Sequence, residues 1–258
     1  MARRLGFARA RKTVSWRGTF ALFSDRMIET LLLPGMDGTG DLFASFARHL
    51  APELSPRIVN YPLQRALGYV DLERGIGLPD GPFAIVAESF SGPLGVRLAA
   101  RHPGRVRGVV LVASFVRSPA PILARLGTLV APLLGGTAPA FALRWSLLGS
   151  DATDSEIAET RALLRSVPPH VLARRLREIV EVDVSAEFAA LRGPLLFVAG
   201  TRDRLVSPRV VAGLRALRPD MDVCFLDAPH FVLQRKPVEA AAAISQWLLA
   251  KTSLPQSN

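Results

Sequence analysis

One cysteine and four histidines among 258 residues leave no material for a disulfide framework or a Cys/His metal site. Cys224 sits inside the apolar run Val223 to Leu226, where a thiol behaves as a small core residue, so a reduced, cytoplasmic setting is the expectation. Lysine is scarce as well, three against 29 arginines. That bias points to codon usage as much as to selection for phosphate contacts. Long apolar runs are missing too. Prolines, glycines, Arg125 and Arg144 interrupt every window of about 20 residues in the most hydrophobic part of the chain, so no stable membrane insertion is expected. Internal repeats and low-complexity tracts are not evident.

The net charge of +10 does not read as a nucleic-acid footprint. Residues 1–24 hold six basic side chains and no acid, whereas beyond residue 26 there are 25 basic and 21 acidic residues. The body therefore carries only +4, and no nucleic-acid partner is expected. Residues 1–26 read as a basic, poorly ordered arm without the apolar stretch of a secretory signal. Two readings stay open for it: an amphipathic transit peptide, or sequence upstream of a translation start at Met27, immediately before the first core strand.

What remains is ordinary in composition, 49% hydrophobic and 21% charged. Its length suits one α/β domain that hides about three quarters of its unfolded surface. Short apolar runs alternate with helical patterns, which predicts βα units and a mostly parallel sheet. The predicted strands are Thr30–Leu33, Arg57–Asn60, Phe83–Ala87, Gly108–Ala113, Leu195–Ala199 and Asp222–Leu226. Helices are expected over Asp41–Leu50, from Pro93 to Arg101, after Ser207-Pro208 and over Pro237–Leu249, with a stunted one in YVDLERGI. Between Phe115 and Phe188 only helical patterns occur, among them a capping-box signature at Thr153 and Glu156. The domain reading is a core of residues 27–114 and 189–252, with residues 115–188 as a helical lid. ILARLGTLVAPLL and FALRWSLL in its first half suit a greasy pocket.

Chemistry-bearing residues fall at strand ends, where open α/β sheets place their sites. FAIVAESFSG is a buried strand that stops at Ser89 on a sharp strand-to-helix turn, which lifts the side-chain oxygen above the sheet. The pattern is a nucleophile elbow with Ala87 and Ser91 in place of its two glycines. A helix cap is the competing role for such a serine. LLLPGMDGTG follows the first strand, and its glycine spacing fits neither a dinucleotide fingerprint nor a phosphate-binding P-loop, so no cofactor is implied. It suits an oxyanion loop in which the N–H of Met36, joined by that of Phe90, meets a developing negative charge. Asp203 lies in the loop after the fifth strand. Ser207 takes the cap position there, which leaves Asp203 to orient a histidine. His230 follows the last strand, with Asp227 as the runner-up acid. The order Ser89…Asp203…His230 is that of a hydrolase triad.

With these residues in place, the chain resembles the α/β-hydrolase family over about residues 28–250. LPGMDGTGDLF and ESFSGP are similar to a subgroup of esterases and acyltransferases. The stretch from Glu156 to Trp247 is similar to the carboxylesterases that demethylate pimeloyl-carrier-protein methyl esters. The resemblance implies a serine esterase with Ser89 as nucleophile, Asp203 and His230 as its partners, and Met36 and Phe90 as oxyanion donors. Departures are Ala87 and Ser91, Pro34 where many relatives carry a histidine, and a short Tyr61–Pro82 segment. An ester with a hydrophobic acyl group is the expected substrate. An acyltransferase on the same triad and a non-catalytic ligand-binding protein of the same fold are the alternatives. Arg161, Arg165, Arg174, Arg175 and Arg177 suit either a solvated lid face or a dock for an acidic acyl carrier protein.

Overall fold

A computed structural model describes residues 27–119 and 138–252. The basic arm and the ILARLGTLVAPLL stretch lie outside the described residues. In chain order the elements are β1 (Ile28–Leu33), α1 (Ala44–Arg48), β2 (Leu54–Ile58), α2 (Tyr69–Gly75), β3 (Phe83–Glu88), α3 (Gly92–Arg101) and β4 (Val106–Val112). A helical insertion follows with α4 (Ala140–Leu143), α5 (Asp154–Ser166), α6 (Pro169–Glu181) and α7 (Ser185–Ala190). The core resumes with β5 (Leu195–Gly200), α8 (Pro208–Leu217), β6 (Asp222–Leu226), α9 (Val232–Arg235) and α10 (Pro237–Thr252). All neighbouring strands pair in parallel, in the order β2-β1-β3-β4-β5-β6. The architecture is a six-stranded parallel sheet flanked by helices, the α/β arrangement that the sequence pattern predicts.

The apolar runs locate the sheet because central parallel strands are covered on both faces. Every residue of β3 and of β5 is buried. Alternate residues serve two cores. Leu31, Leu33, Ile85, Ala87 and Leu111 face α2, α3, α7 and α8, while Leu32, Ala84, Val86 and Val112 face α1, α9 and α10. The edge strands are more open, and there the sequence placed β2 two to three residues too late, at Arg57–Asn60. Its true register pairs Leu54 with Ile28 and Ile58 with Leu32. Pro56 lies within it, which an edge strand tolerates because the missing N–H costs no ladder bond on the outer side.

Strand order reverses between β1 and β3: the chain passes from β1 outward to β2, then returns to the other side of β1. The carboxyl ends of β1 and β3 therefore open a crevice, the usual ligand position of such sheets. The insertion closes on itself at its base. Val184 N–H donates to Val116 O at 2.8 Å and Ser118 N–H to Val182 O at 3.1 Å, around a bridge between Arg117 and Asp183. A purely helical insertion was expected, and these few antiparallel bonds are the difference. The capping box at Thr153 and Glu156 is formed at the start of α5. Among the described residues, no helix is long and apolar enough to cross a membrane.

Gly95 explains how alanine replaces the first elbow glycine. A Cβ on Gly95 would lie 2.9 Å from the Ala87 Cβ and 3.3 Å from Ile85 Cγ2, so the bulk added on β3 occupies room left open on α3. Gly95→Ala is expected to lower stability by about 1–3 kcal/mol through overpacking, despite alanine's better helix propensity. Adding Ala87→Gly should recover at least half of the loss, read from urea midpoints.

Candidate active site

Ser89 lies at the C-terminal tip of β3 with φ +48, a left-handed conformation that a side-chain-bearing residue adopts only under constraint. The constraint comes from three neighbouring groups. Ser114 Oγ donates to Ser89 O at 2.6 Å, and Tyr69 OH donates to Phe90 O at 2.7 Å with its ring stacked on that of Phe90. Tyr61 OH lies 2.5 Å from Ser91 Oγ, which donates to Pro34 O, so the phenol is the donor in the first contact. Ser114 follows Ala113, itself at φ +45. Gly92 must lack a Cβ, which would lie 1.8 Å from Ser114 Oγ. The residue with no room for a side chain has moved one place along the chain from the usual elbow glycine. The serine left at position 91 ties the elbow to the loop after β1.

That loop, Pro34 to Gly38, has every carbonyl engaged. Pro34 O accepts from Ser91, Gly35 O from Gly38 N–H at 3.1 Å, and Gly38 O from Tyr61 N–H at 2.7 Å. Arg175 Nη1 donates to Met36 O at 2.8 Å and to Asp37 O at 2.7 Å. In a trans peptide the N–H points opposite the carbonyl. Binding Gly35 O inside the turn therefore turns the Met36 N–H out of it, and that N–H has no hydrogen-bond partner among the described residues. Phe90 is second in the short helical turn Ser89–Ser91, where N–H groups lack intrahelical acceptors.

His230, after β6, is the one buried histidine of the four. Its Nε2 lies 2.9 Å from Ser89 Oγ and its Nδ1 2.9 Å from Asp203 Oδ2. Asp203 is buried, and its other oxygen accepts from the N–H groups of Leu205 at 2.8 Å and Val206 at 3.0 Å. Ser207 stands at the cap position of α8 but makes no side-chain cap bond. The carboxylate expected to be free of turn duty performs it with one oxygen and meets the histidine with the other. Asp227 is exposed and pairs with Arg202 at 2.9 Å, away from the ring. The structure thus brings Ser89, Asp203 and His230 together, and not Asp227.

Several side chains around the site went unread in the sequence. Both tyrosines of the chain hold the elbow, although they sit in the segment that looked merely short. Arg175 was grouped with solvent-facing arginines, yet it is 1% exposed. Its spacing from Val171 and Leu172, the buried face of α6, was the available signal. Among the described residues there is no group of His, Cys, Asp and Glu that could hold a metal ion.

The sequence matches the α/β hydrolase fold family over residues 77–237. It is 29% identical over 211 residues to the pimeloyl-[acyl-carrier protein] methyl ester esterase of Xanthomonas oryzae pv. oryzae, covering 73% of this chain and 82% of that protein. With the Stenotrophomonas maltophilia protein of the same name it shares 27% over 244 residues, 86% and 93% of the two chains. Among solved structures, the enol-lactonase of Burkholderia xenovorans superposes with a TM-score of 0.75 at 20% identity, covering 86% of this chain and 91% of that one. A thermophilic esterase from Thermogutta terrifontis gives 0.72 at 20%, covering 88% and 91%.

Glu88, next to Ser89, is buried, and Gln234 Nε2 donates to its carboxylate at 3.0 Å. Burial pushes its carboxyl up to about 7 from 4.5; the Gln234 donor opposes the shift and the Asp37 charge adds to it. Folded Glu88 keeps its proton where the unfolded chain has lost it, so this group removes stability as pH rises from about 4.5 to about 7. Glu88→Gln should remove that loss. Urea unfolding is expected to show the variant gaining up to about 3 kcal/mol on wild type between about pH 4 and pH 8.

Proposed function

Because the chain belongs to the α/β-hydrolase-fold family, we propose that it is a serine hydrolase that cleaves carboxylic esters of hydrophobic acyl groups. The observation that carries this reading is the pair of 2.9 Å contacts running from Ser89 through His230 to Asp203. With its proton on Nδ1, the imidazole donates to Asp203 and leaves Nε2 to accept from the Ser89 hydroxyl. As Ser89 Oγ attacks the ester carbonyl, His230 takes its proton and Asp203 stabilises the imidazolium. The oxyanion forms against the N–H groups of Met36 and Phe90, each such donor worth roughly 10²–10³ in rate. His230 then protonates the departing alcohol, and water, deprotonated by the same ring, releases the acid from the acyl-enzyme. The helical insertion acts as a lid over the crevice. Its apolar cluster of Leu143, Leu148, Ile157 and Leu164 packs against Phe231 beside His230 and so anchors the insertion next to the base.

A carrier-bound ester is the second reading, favoured by the carrier protein in the names of the relatives. On α6 it rests on Arg177, which is exposed, since Arg175 is buried and Arg174 pairs with Glu178 at 2.7 Å. Arg177→Glu should then raise KM for an ester on an acidic carrier protein and leave small esters unaffected. Equal effects on both would remove the docking role.

A p-nitrophenyl ester series from acetate to palmitate tests the main reading. Ser89→Ala is expected to lower turnover by about 10³ or more, and Asp203→Asn to cost far more activity than Asp227→Asn. Turnover that survives Ser89→Ala would refute the serine mechanism.

A further inference from the structure

Arg175 is the least expected side chain near the site. It projects from α6 of the insertion, is 1% exposed, and forms no ion pair with any described acid. Burying a guanidinium without an ion pair is costly even with the Asp37 charge nearby, and Arg175 Nε has no hydrogen-bond partner among the described residues. As a purely structural pin, an apolar residue beside Val171 and Leu172 would serve better. What the guanidinium does instead is bind backbone carbonyls: Met36 O and Asp37 O through Nη1, and Pro62 O at 3.4 Å through Nη2. It lies over the Tyr61 ring, 5.6 Å from its centroid. The loop has a seat for it. Gly38 has φ +71, and a Cβ there would lie 2.6 Å from Arg175 Nη1.

We propose that Arg175 is a positioning residue that holds the Met36 N–H donor in place from the lid, so that the oxyanion site is complete only while α6 is docked. The proposal rests on the hydrolase reading above. Its logic lies in the two peptides flanking Met36. The preceding one is set by the bond from Gly38 N–H to Gly35 O, within the loop itself. The following one, carrying Met36 O, is set by Arg175, on an element 139 residues away in sequence. Withdrawing α6 frees the second peptide and leaves the turn held by its one internal bond, so the loop that presents the donor loses its support from outside. Lid position and catalytic competence thereby become one equilibrium.

The test compares wild type, Arg175→Met and Arg175→Lys with p-nitrophenyl butyrate. A trifluoromethyl ketone of matching chain length, whose serine adduct carries an oxyanion, serves as second probe. Arg175→Met keeps a similar stem without charge. It is expected to lower kcat by about a hundredfold with KM within about twofold, and to weaken the ketone in proportion to the loss in kcat/KM. Arg175→Lys, which keeps charge but not the fork, should fall between. If Arg175→Met does not fold, Arg175→Lys carries the comparison: reduced kcat at constant KM supports the role, and wild-type kcat overturns it. A loss confined to KM, or to stability with kcat and ketone affinity unchanged, overturns it as well. Wild type that neither turns over the ester nor takes a fluorophosphonate on Ser89 would instead refute the hydrolase reading itself.

Discussion

The left-handed backbone at Ser89 is the constraint on which the rest of the site depends. A serine at φ +48 costs of order 1–3 kcal/mol and persists only where its surroundings over-determine it. Here those surroundings are side chains bonded to the elbow's own backbone: Ser114 on Ser89 O and Tyr69 on Phe90 O. Both hydroxyls act on carbonyls, which leaves the N–H groups of the turn free. Held in this way, the turn keeps the Phe90 N–H without a hydrogen-bond partner among the described residues.

The same device recurs in the loop after β1. Five successive carbonyls, Pro34 to Gly38, are each occupied, three of them by side chains of Ser91 and Arg175. The two departures at the elbow and the loop thus meet each other. Ser91, where glycine was expected, supplies the hydroxyl that Pro34 accepts. Ala87, the other missing glycine, is accommodated by Gly95 across the β3–α3 contact. Neither substitution opens the turn, because each is matched by a neighbour on another element, Gly95 on α3 and Pro34 in the loop after β1.

The insertion is tied to the triad loops by charge as well as by Arg175. Asp151 pairs with Arg202 at 3.1 Å and with Arg235 at 2.9 Å, and Arg235 also meets Glu156. Arg202 directly precedes Asp203, and Arg235 lies five residues beyond His230. The backbone adds a bond from Phe231 N–H to Leu147 O at 3.0 Å. These partners are partly exposed, so each pair by itself adds little to stability. Together they hold the insertion against the two loops that carry the proposed acid and base.

Much of this was determined locally and could be read along the chain. The apolar runs of β3 and β5 and the turn at Ser89 belong to consecutive residues, and the order of Ser89, Asp203 and His230 after β3, β5 and β6 is read directly from the chain. The edge strand β2 was misplaced because half-exposed residues carry a weak pattern, and Ser207 misled because a residue at a cap position need not cap. Only the tertiary structure decided which side chains hold the backbone around the site. Tyr69, Ser114, Tyr61 and Arg175 act on groups between 21 and 139 residues away. A hydrogen bond from a side chain to a remote carbonyl has no period and no spacing rule. It exists only once packing has brought the two together.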